Sequence, residues 1–287
     1  MLIPPVRNLI LYPWWPRIWR EVSTIDIIVM TRREFPPNVT ALQCVKRVPP
    51  IVERDDKRLF GDMRFLKKPA FPVTSMESAK SLKLNHPDHK LFLPAMSKEE
   101  SKDLLHTYLV IAEALQKVNV EHFLEGGSML GSLRHQGFIP WDDDLDIAIN
   151  VKDWVKVREA LSCIEGFHLR VQPNMHWAFR RQRYRFPYID IFFYAEDETH
   201  IWALAYYIMR MTFVLSKKDV FPLTTGFFEG HLVPLPRYAD RVARKVFEYD
   251  YCLSPDAHHR DHVELPVRKN VPCSELSYLY QSFNLKV

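Results

Sequence analysis

Residues 125–149 read EGGSMLGSLRHQGFIPWDDDLDIAI. Four of the 8 glycines in the 287-residue chain lie in this stretch, between positions 126 and 137. Glycine permits backbone conformations and close approaches that a side chain would prevent. The concentration of glycine therefore indicates a sharp turn or a ligand-binding backbone segment at this point of the chain.

A run of acidic residues follows the glycines. In an extended strand alternate side chains share a face, so Asp142, Asp144 and Asp146 are predicted to point one way, and Asp143 and Leu145 the other. Carboxylates on one face repel each other unless a cation neutralises them. Oxygen ligands suit Mg²⁺, Mn²⁺ or Ca²⁺ better than zinc. We therefore expect a divalent-cation site, and a solvated acidic turn is the alternative.

The glycine turn is predicted to join a short strand, residues 120–124, to a helix. Ser128 is expected to be the N-cap of this helix, which runs to about Arg134. The free N–H groups and the dipole of a helix N-terminus favour a phosphate. Beside the acidic run, this pattern predicts a nucleotide site. The residues expected to bind the nucleotide are Gly126, Gly127, Ser128, Arg134 and His135, with a capping or surface role as the alternative for the last two.

Asp190 lies inside the apolar segment Tyr188–Tyr194, which is predicted to be a buried strand. Burial of a carboxylate is unfavourable unless the group is paired or bound to a metal. We therefore predict that Asp190 joins the cation site, with a structural ion pair as the alternative. Arg181, Arg183 and Arg185 precede this strand at alternate positions. They are expected to form either a clamp for an anionic substrate or a solvated edge.

Residues 126–147 resemble the signature of the LicD family, which includes bacterial phosphocholine transferases and the animal fukutin and fukutin-related proteins. Weaker similarity follows at residues 188–192, 219–223 and 228–234. The resemblance implies an α+β fold, namely a nucleotidyltransferase-like mixed β-sheet flanked by helices. It also implies transfer of a phospho-alcohol, such as phosphocholine or ribitol phosphate, from a CDP-linked alcohol donor to a hydroxyl of a glycan or glycoprotein acceptor.

Metal-assisted phosphoryl transfer is the mechanism that the residues and the resemblance together predict. We expect Mg²⁺ or Mn²⁺ on Asp144, Asp146 and Asp190. Asp142 would assist, and Asp190 would take the proton of the acceptor hydroxyl. Two other functions stay open: a sugar-nucleotide glycosyltransferase that uses Asp144 and Asp146, and an inactive binding protein of the same fold.

Composition excludes several other classes of protein. The chain is 47% hydrophobic and carries a net charge of +4. This small, dispersed excess suits an anionic nucleotide substrate but argues against nucleic acid. The four cysteines lie far apart without a CxxC pair, which excludes a zinc ribbon and a dense disulfide scaffold. One or two disulfides stay open.

Three regions are predicted: a proline-rich N-terminal extension (1–95), a LicD-like catalytic domain (96–255) and a C-terminal tail (256–287). The apolar runs in the first 30 residues are interrupted, so neither a transmembrane segment nor a signal peptide is expected, although the family resemblance implies the Golgi lumen. In the tail, His258, His259 and His262 are predicted to be solvated rather than to bind a metal.

Helices are predicted from a capping box at Ser97 and Glu100 to about Val118, from about Lys152 to Ser162, and from about Arg237 to Tyr251. Residues 167–171 and 175–184 are predicted to form a hairpin.

Overall fold

The computed structural model describes residues 40–57, 59, 76–80, 82–172, 176–204, 214–255, 257–261, 263–265 and 268–280. Helices α1 to α6 in this part span Met76–Ala79, Lys98–Lys117, Gly126–His135, Trp154–Ser162, Lys217–Val220 and Ala239–Val246. Strands β1 to β7 span His122–Leu124, Leu145–Asn150, Phe167–Arg170, Trp177–Arg181, Tyr188–Glu196, His200–Ala203 and Val214–Ser216. Strands β8 to β13 span Thr224–Phe228, His231–Leu235, Tyr251–Leu253, Ala257–His258, Val263–Glu264 and Asn270–Pro272.

The centre of the fold is a seven-stranded mixed sheet. Its strand order is β1-β2-β5-β4-β3, and β6 and β7 extend it from the far end of β5. Strands β2 and β5 are parallel, and the other pairs of this sheet are antiparallel. The predicted α+β class, with a mixed sheet and flanking helices, is confirmed. The parallel pair matters most for function because it carries the acidic residues.

Helix α2 covers one face of the sheet. Its capping box is confirmed, since Ser97 Oγ accepts a hydrogen bond from the Glu100 amide and Glu100 Oε2 accepts one from the Ser97 amide. The helix packs against α4, β4 and β5. Leu104 and Leu115 on its inner face are fully buried. Burial of this apolar face stabilises the helix more than its intrinsic propensity does.

The final helix is shorter than predicted. Helix α6 ends at Val246, and residues 251–253 form β10, which pairs with β13. Tertiary pairing overrides the helical pattern here, and Cys252 of β10 is also bonded to Cys273, the residue that follows β13. The predicted hairpin is present as β3 and β4, and its turn at residues 173–175 lies outside the described residues.

The C-terminal region is not a tail, and that prediction is wrong. Between residues 257 and 280 the described residues form β11, β12 and β13 and pack against the body of the fold. Leu279 is fully buried, and the Tyr280 hydroxyl donates a hydrogen bond of 2.7 Å to the carbonyl of Phe92. Long-range contacts fix this region, and such contacts leave no periodic pattern in the sequence.

Part of the N-terminal region also packs on the body. Cys44 is disulfide-bonded to Cys163, and Val48 forms a β-bridge with Ile164. With the Cys252–Cys273 bond, all four cysteines are paired. Residues 1–39, which hold the apolar runs, lie outside the described residues. In the described residues, no helix combines the length and apolar composition that crossing a bilayer requires.

Candidate active site

Three carboxylates meet at the N-terminal ends of the parallel strands β2 and β5. The parallel register places Asp146 directly opposite Asp190, and Asp144 precedes β2 by one residue. The ligating oxygens of Asp144, Asp146 and Asp190 all lie within 4.8 Å of one another. The structure thus brings together the three residues that the sequence singled out for a cation. Strand β2 begins only at Leu145, so the alternation predicted from Asp142 onward applies to a shorter stretch.

The N-terminus of α3 adjoins these carboxylates. Gly126 has φ of +55°, and a Cβ built on it would lie 3.2 Å from Asp146 Oδ2. A Cβ on Gly127 would lie 2.5 Å from Asp142 Oδ2, closer than real contacts allow. Glycine is favoured at 127 because the Asp142 side chain occupies the space of a Cβ, and at 126 because of the left-handed φ. The first turn of α3 therefore presents N–H groups that have no acceptor within the helix, beside the carboxylates.

Ser128 does not cap the helix, so that prediction is wrong. Helix α3 begins at Gly126, and its N-cap residue is Glu125. The buried Ser128 hydroxyl instead accepts a hydrogen bond of 2.8 Å from the Asp146 amide. It ties the first turn of α3 to β2, and thereby fixes the distance between the glycines and the carboxylates.

Glu125 is a site residue that sequence reasoning missed. Its amide donates a 3.1 Å hydrogen bond to the carbonyl of Asp146. Burial, together with the charge of Asp144, raises the pKa of Glu125 to about 7. Its place between a short strand and the glycine turn is the signal that could have identified it.

Burial and mutual repulsion dominate the electrostatics of the cluster. Burial is the largest cause, and the charge of Asp144 the next, of raised pKa values at three carboxyl groups. The pKa of Asp190 rises to about 8, and those of Asp142 and Asp146 rise well above their usual range. Asp190 Oδ1 accepts no hydrogen bond from the described part of the chain. It lies 3.4 Å from Nε2 of His176, and burial lowers the pKa of that imidazole to about 4. Three hard oxygen donors that repel one another fit Mg²⁺ or Mn²⁺.

His259 contacts the acidic run, which contradicts its assignment to a solvated tail. Asp143 is buried, and its carboxylate accepts hydrogen bonds from the His259 amide at 3.1 Å and from Nδ1 at 2.6 Å. His259 Nε2 lies 3.4 Å from Asp144 Oδ2. The hydrogen bond with Asp143 raises the pKa of His259 to about 9. Neighbouring His258 lies in β11, and His262 lies outside the described residues.

Arg134 and His135 are not placed to bind the donor. They end α3, roughly 12 Å along the helix axis from the glycine turn. The buried Arg134 guanidinium donates hydrogen bonds to the carbonyls of Tyr249 and Tyr251. His135 packs edge-on against Trp141, with ring centroids 5.8 Å apart. The structure therefore gives Arg134 a structural role, because its side chain anchors the segment that leads into β10.

The sequence left Arg181, Arg183 and Arg185 open between a clamp for an anionic substrate and a solvated edge. Arg181 ends β4 and points to α2, where its Nε lies 3.3 Å from Asp103 Oδ1. Arg183 and Arg185 follow the strand and are exposed. Two other arginines share a sheet face with Asp190: Arg170, which pairs with Ala178 opposite Asp190, and Arg180, which pairs with Tyr188. Of these, Arg170 acts on Asp190 electrostatically and partly offsets the rise in its pKa that burial causes. Only the strand register reveals this relation.

Comparison with known proteins identifies the domain. Residues 119–238 match the family model described as LicD/FKTN/FKRP, nucleotidyltransferase domain. These residues form a LicD-family domain. It includes the glycine turn, the acidic run and Asp190, whereas His259 lies beyond the matched residues.

Three relatives show how similar this LicD-family domain is to known proteins, and over what length. An uncharacterised protein of Rickettsia typhi is 30% identical over 126 residues, which are 44% of this chain and 35% of that protein. The ribitol 5-phosphate transferase FKRP of Homo sapiens is 42% identical over 50 residues, or 17% of this chain and 10% of its own. The lipopolysaccharide cholinephosphotransferase LicD of Haemophilus influenzae is 47% identical over 32 residues, 11% of this chain and 12% of its own. The chain thus spans about a third of the first relative and less of the other two.

Proposed function

We propose that this domain is a metal-dependent phosphotransferase that moves a phospho-alcohol from a CDP-linked donor to a glycan hydroxyl. The observation that carries the proposal is the meeting of Asp144, Asp146 and Asp190, with ligand atoms within 4.8 Å, beside the N-terminus of α3. The names of two relatives, a ribitol 5-phosphate transferase and a cholinephosphotransferase, support a phospho-alcohol as the transferred group.

The carboxylates would hold Mg²⁺ or Mn²⁺. When bound, such an ion supplies positive charge that offsets the donor diphosphate and the leaving CMP. Asp144, Asp146 and Asp190 would provide its protein ligands, and Asp142, packed against Gly127, would fix the start of α3 beside them.

The first turn of α3 would orient the donor. Amides of Gly126 and Gly127 would hold phosphate oxygens, as helix N-termini do when their first N–H groups have no partner within the helix. Ser128 would contribute indirectly, because its hydroxyl is hydrogen-bonded to the Asp146 amide. The phosphorus would then be held between the helix N-terminus and the carboxylates.

Asp190 would act as the base. Its Oδ1 is buried and lacks a hydrogen-bond donor among the described residues, so it can accept the proton of an entering hydroxyl. The hydroxyl oxygen would form a bond to phosphorus while the bond from phosphorus to the CMP oxygen breaks.

A donor panel tests the proposal. The purified chain is incubated with CDP-choline, CDP-ribitol, CDP-glycerol, UDP-sugars or GDP-sugars, in Mg²⁺, Mn²⁺ or EDTA, and the released nucleotide is measured. We expect CMP from a CDP-alcohol, in the presence of metal only. Release of UDP or GDP would favour a glycosyltransferase instead. Absence of metal-dependent binding of every donor by calorimetry would favour an inactive binding protein.

An oxidising compartment is proposed for the chain. All four cysteines are paired in two disulfides, and such bonds persist in secretory and extracellular environments but are rare in the cytosol. The Golgi lumen is one such environment. Thiol labelling of the protein from cells, with and without prior reduction, tests this.

A further inference from the structure

His259 lies between two consecutive aspartates of the acidic run. Its Nδ1 and its amide both donate to the carboxylate of Asp143, at 2.6 Å and 3.1 Å. A carboxylate can only accept, so Nδ1 carries a hydrogen. Its other ring nitrogen, Nε2, lies 3.4 Å from Asp144 Oδ2. Two attachment points on Asp143 fix both the position and the tilt of the ring.

The turn that carries His259 is held from a second direction. Arg260 donates hydrogen bonds of 2.6 Å to Glu100 Oε2, at the capping box of α2, and of 2.9 Å to the carbonyl of Ala95. The turn also lies within the loop that the Cys252–Cys273 disulfide closes. Thus the turn that carries His259 is attached to the body of the fold through Asp143, Glu100 and the Ala95 carbonyl.

Tyr188 limits the remaining freedom of the ring. Its aromatic ring stands edge-on to His259, with centroids 6.0 Å apart and an interplanar angle of 84°. Tyr188 is two residues before Asp190 on β5, so it belongs to the same sheet face as that carboxylate. The imidazole is therefore fixed by Asp143, bounded by Tyr188 and directed at Asp144.

We propose that His259 is a positioning residue of the cation site: fastened to Asp143, it holds the Asp144 carboxylate in the orientation that a cation shared with Asp146 and Asp190 requires. This inference rests on the proposed function. Groups that hydrogen-bond to metal ligands commonly change metal affinity by about 10- to 100-fold when they are removed. A segment outside the matched LicD-family residues would thus complete the site.

Binding of Mn²⁺ tests the inference without a donor or an acceptor. The dissociation constant of Mn²⁺ is measured by electron paramagnetic resonance for the wild-type chain and for His259→Ala, with His258→Ala as the matched control. We expect His259→Ala to weaken Mn²⁺ binding about 10- to 100-fold and His258→Ala to leave it unchanged. Equal affinity of wild type and His259→Ala would overturn the inference while leaving the carboxylate site standing.

His259→Asn separates positioning from fastening. Its amide nitrogen can replace Nδ1 as the donor to Asp143, but it does not reach Asp144. We expect this variant to have the same unfolding temperature as the wild type but to bind Mn²⁺ more weakly than the wild type does. Recovery of wild-type affinity would show that His259 only fastens the turn, and would overturn the inference.

Asp144→Asn and Asp146→Asn distinguish the failure of this inference from failure of the proposed function. If they bind Mn²⁺ as the wild type does, or if the wild type binds none, the carboxylate site itself is refuted, and the role of His259 with it.

Discussion

Asp146 is held in place by its neighbours more than by its own side chain. Its amide donates to the Ser128 hydroxyl, and its carbonyl accepts from the Glu125 amide. Its carboxylate lies against Gly126 and close to Asp144 and Asp190. The backbone is thus fixed while like charges remain together. This electrostatic repulsion between carboxylates is expected at a functional site, because a neutral residue would serve a structural role better.

Neutralising one carboxylate should abolish transfer. We expect Asp144→Asn and Asp146→Asn to lower kcat/KM by at least about 100-fold, because each removes charge from the group that holds the cation. The folded structure should persist, since repulsion within the cluster falls. CMP release and circular dichroism measure the two effects. Asp240→Asn on α6 is the control, because the side chain of Asp240 is 48% exposed and pairs with Arg244. Full turnover by either site variant would refute the assignment.

The metal-free protein should lose stability as pH rises. Folding raises the pKa of Asp190 from 3.8 to about 8 and that of Glu125 from 4.5 to about 7. At these two groups the folded state binds more protons than the unfolded state between about pH 4 and pH 8, which lowers the free energy of unfolding as pH increases. Below about pH 6.5, His122 and His176 act in the opposite direction, because folding lowers their pKa values from 6.5 to about 4. In EDTA, Tm should therefore decline between about pH 6.5 and pH 8, and saturating Mg²⁺ should restore it at pH 8.

Asp190→Asn should reduce this pH dependence. The variant has no carboxyl group to deprotonate at that position, so in EDTA at pH 8 its Tm should exceed that of the wild type, whereas at pH 4 the two should be similar. Differential scanning calorimetry at both pH values measures this. A Tm for Asp190→Asn below the wild type at pH 8 would contradict the electrostatic account.

At the scale of elements, the site is a junction between α3 and β2. The helix begins at Gly126 without a side-chain cap, and its first turn is tied to β2 through Ser128. The parallel β2–β5 pairing then sets the distance between Asp146 and Asp190. Because these elements fix the carboxylates jointly, a small shift at the helix start should alter the chemistry more than the stability.

Gly127→Ala should show this difference. The added Cβ would meet Asp142 Oδ2 at 2.5 Å, so Asp142 or the helix start must move. Misplacement by about 1 Å can lower activity about 100-fold. Stability should change little, because alanine favours a helix by about 1 kcal/mol over glycine.

Gly166→Ala is the matched control for Gly127→Ala. Gly166 has φ of +78°, and a Cβ built on it has no neighbour within 4 Å. This variant should lower the free energy of unfolding through backbone strain, yet keep transfer activity. CMP release and urea unfolding distinguish the two variants. Equal losses of activity would show that glycine at 127 has no special role.

At the scale of the whole molecule, both terminal regions are joined covalently to the fold. The Cys44–Cys163 bond joins residues that lie 119 positions apart in sequence, and the Cys252–Cys273 bond joins residues 21 positions apart. By chain entropy alone they would stabilise the folded state by roughly 5 and roughly 3 kcal/mol. The first fastens the N-terminal segment to the end of α4, and the second closes the loop that contains His259.

Removing the two disulfides separately should have different consequences. Replacing Cys44 and Cys163 by serine should lower the free energy of unfolding more than replacing Cys252 and Cys273, because the closed loop is longer. Only the second pair should also weaken Mn²⁺ binding, since it holds the segment that carries His259. Urea unfolding and Mn²⁺ titration measure both effects. Equal Mn²⁺ affinities in the two variants would contradict this assignment.

The sequence by itself determined the local features: the capping box of α2, the acidic run with its glycine turn, the β5 strand and the mixed α+β class. Each depends on neighbours in sequence, where periodicity and residue type act directly. Tertiary structure alone decided that His259 lies on Asp143, 116 residues away, and that Arg134 contacts Cys273, 139 residues away. It also decided which arginines share the face of Asp190, namely Arg170 and Arg180. Those relations arise from strand register and chain folding, which bring together residues that no sequence spacing relates.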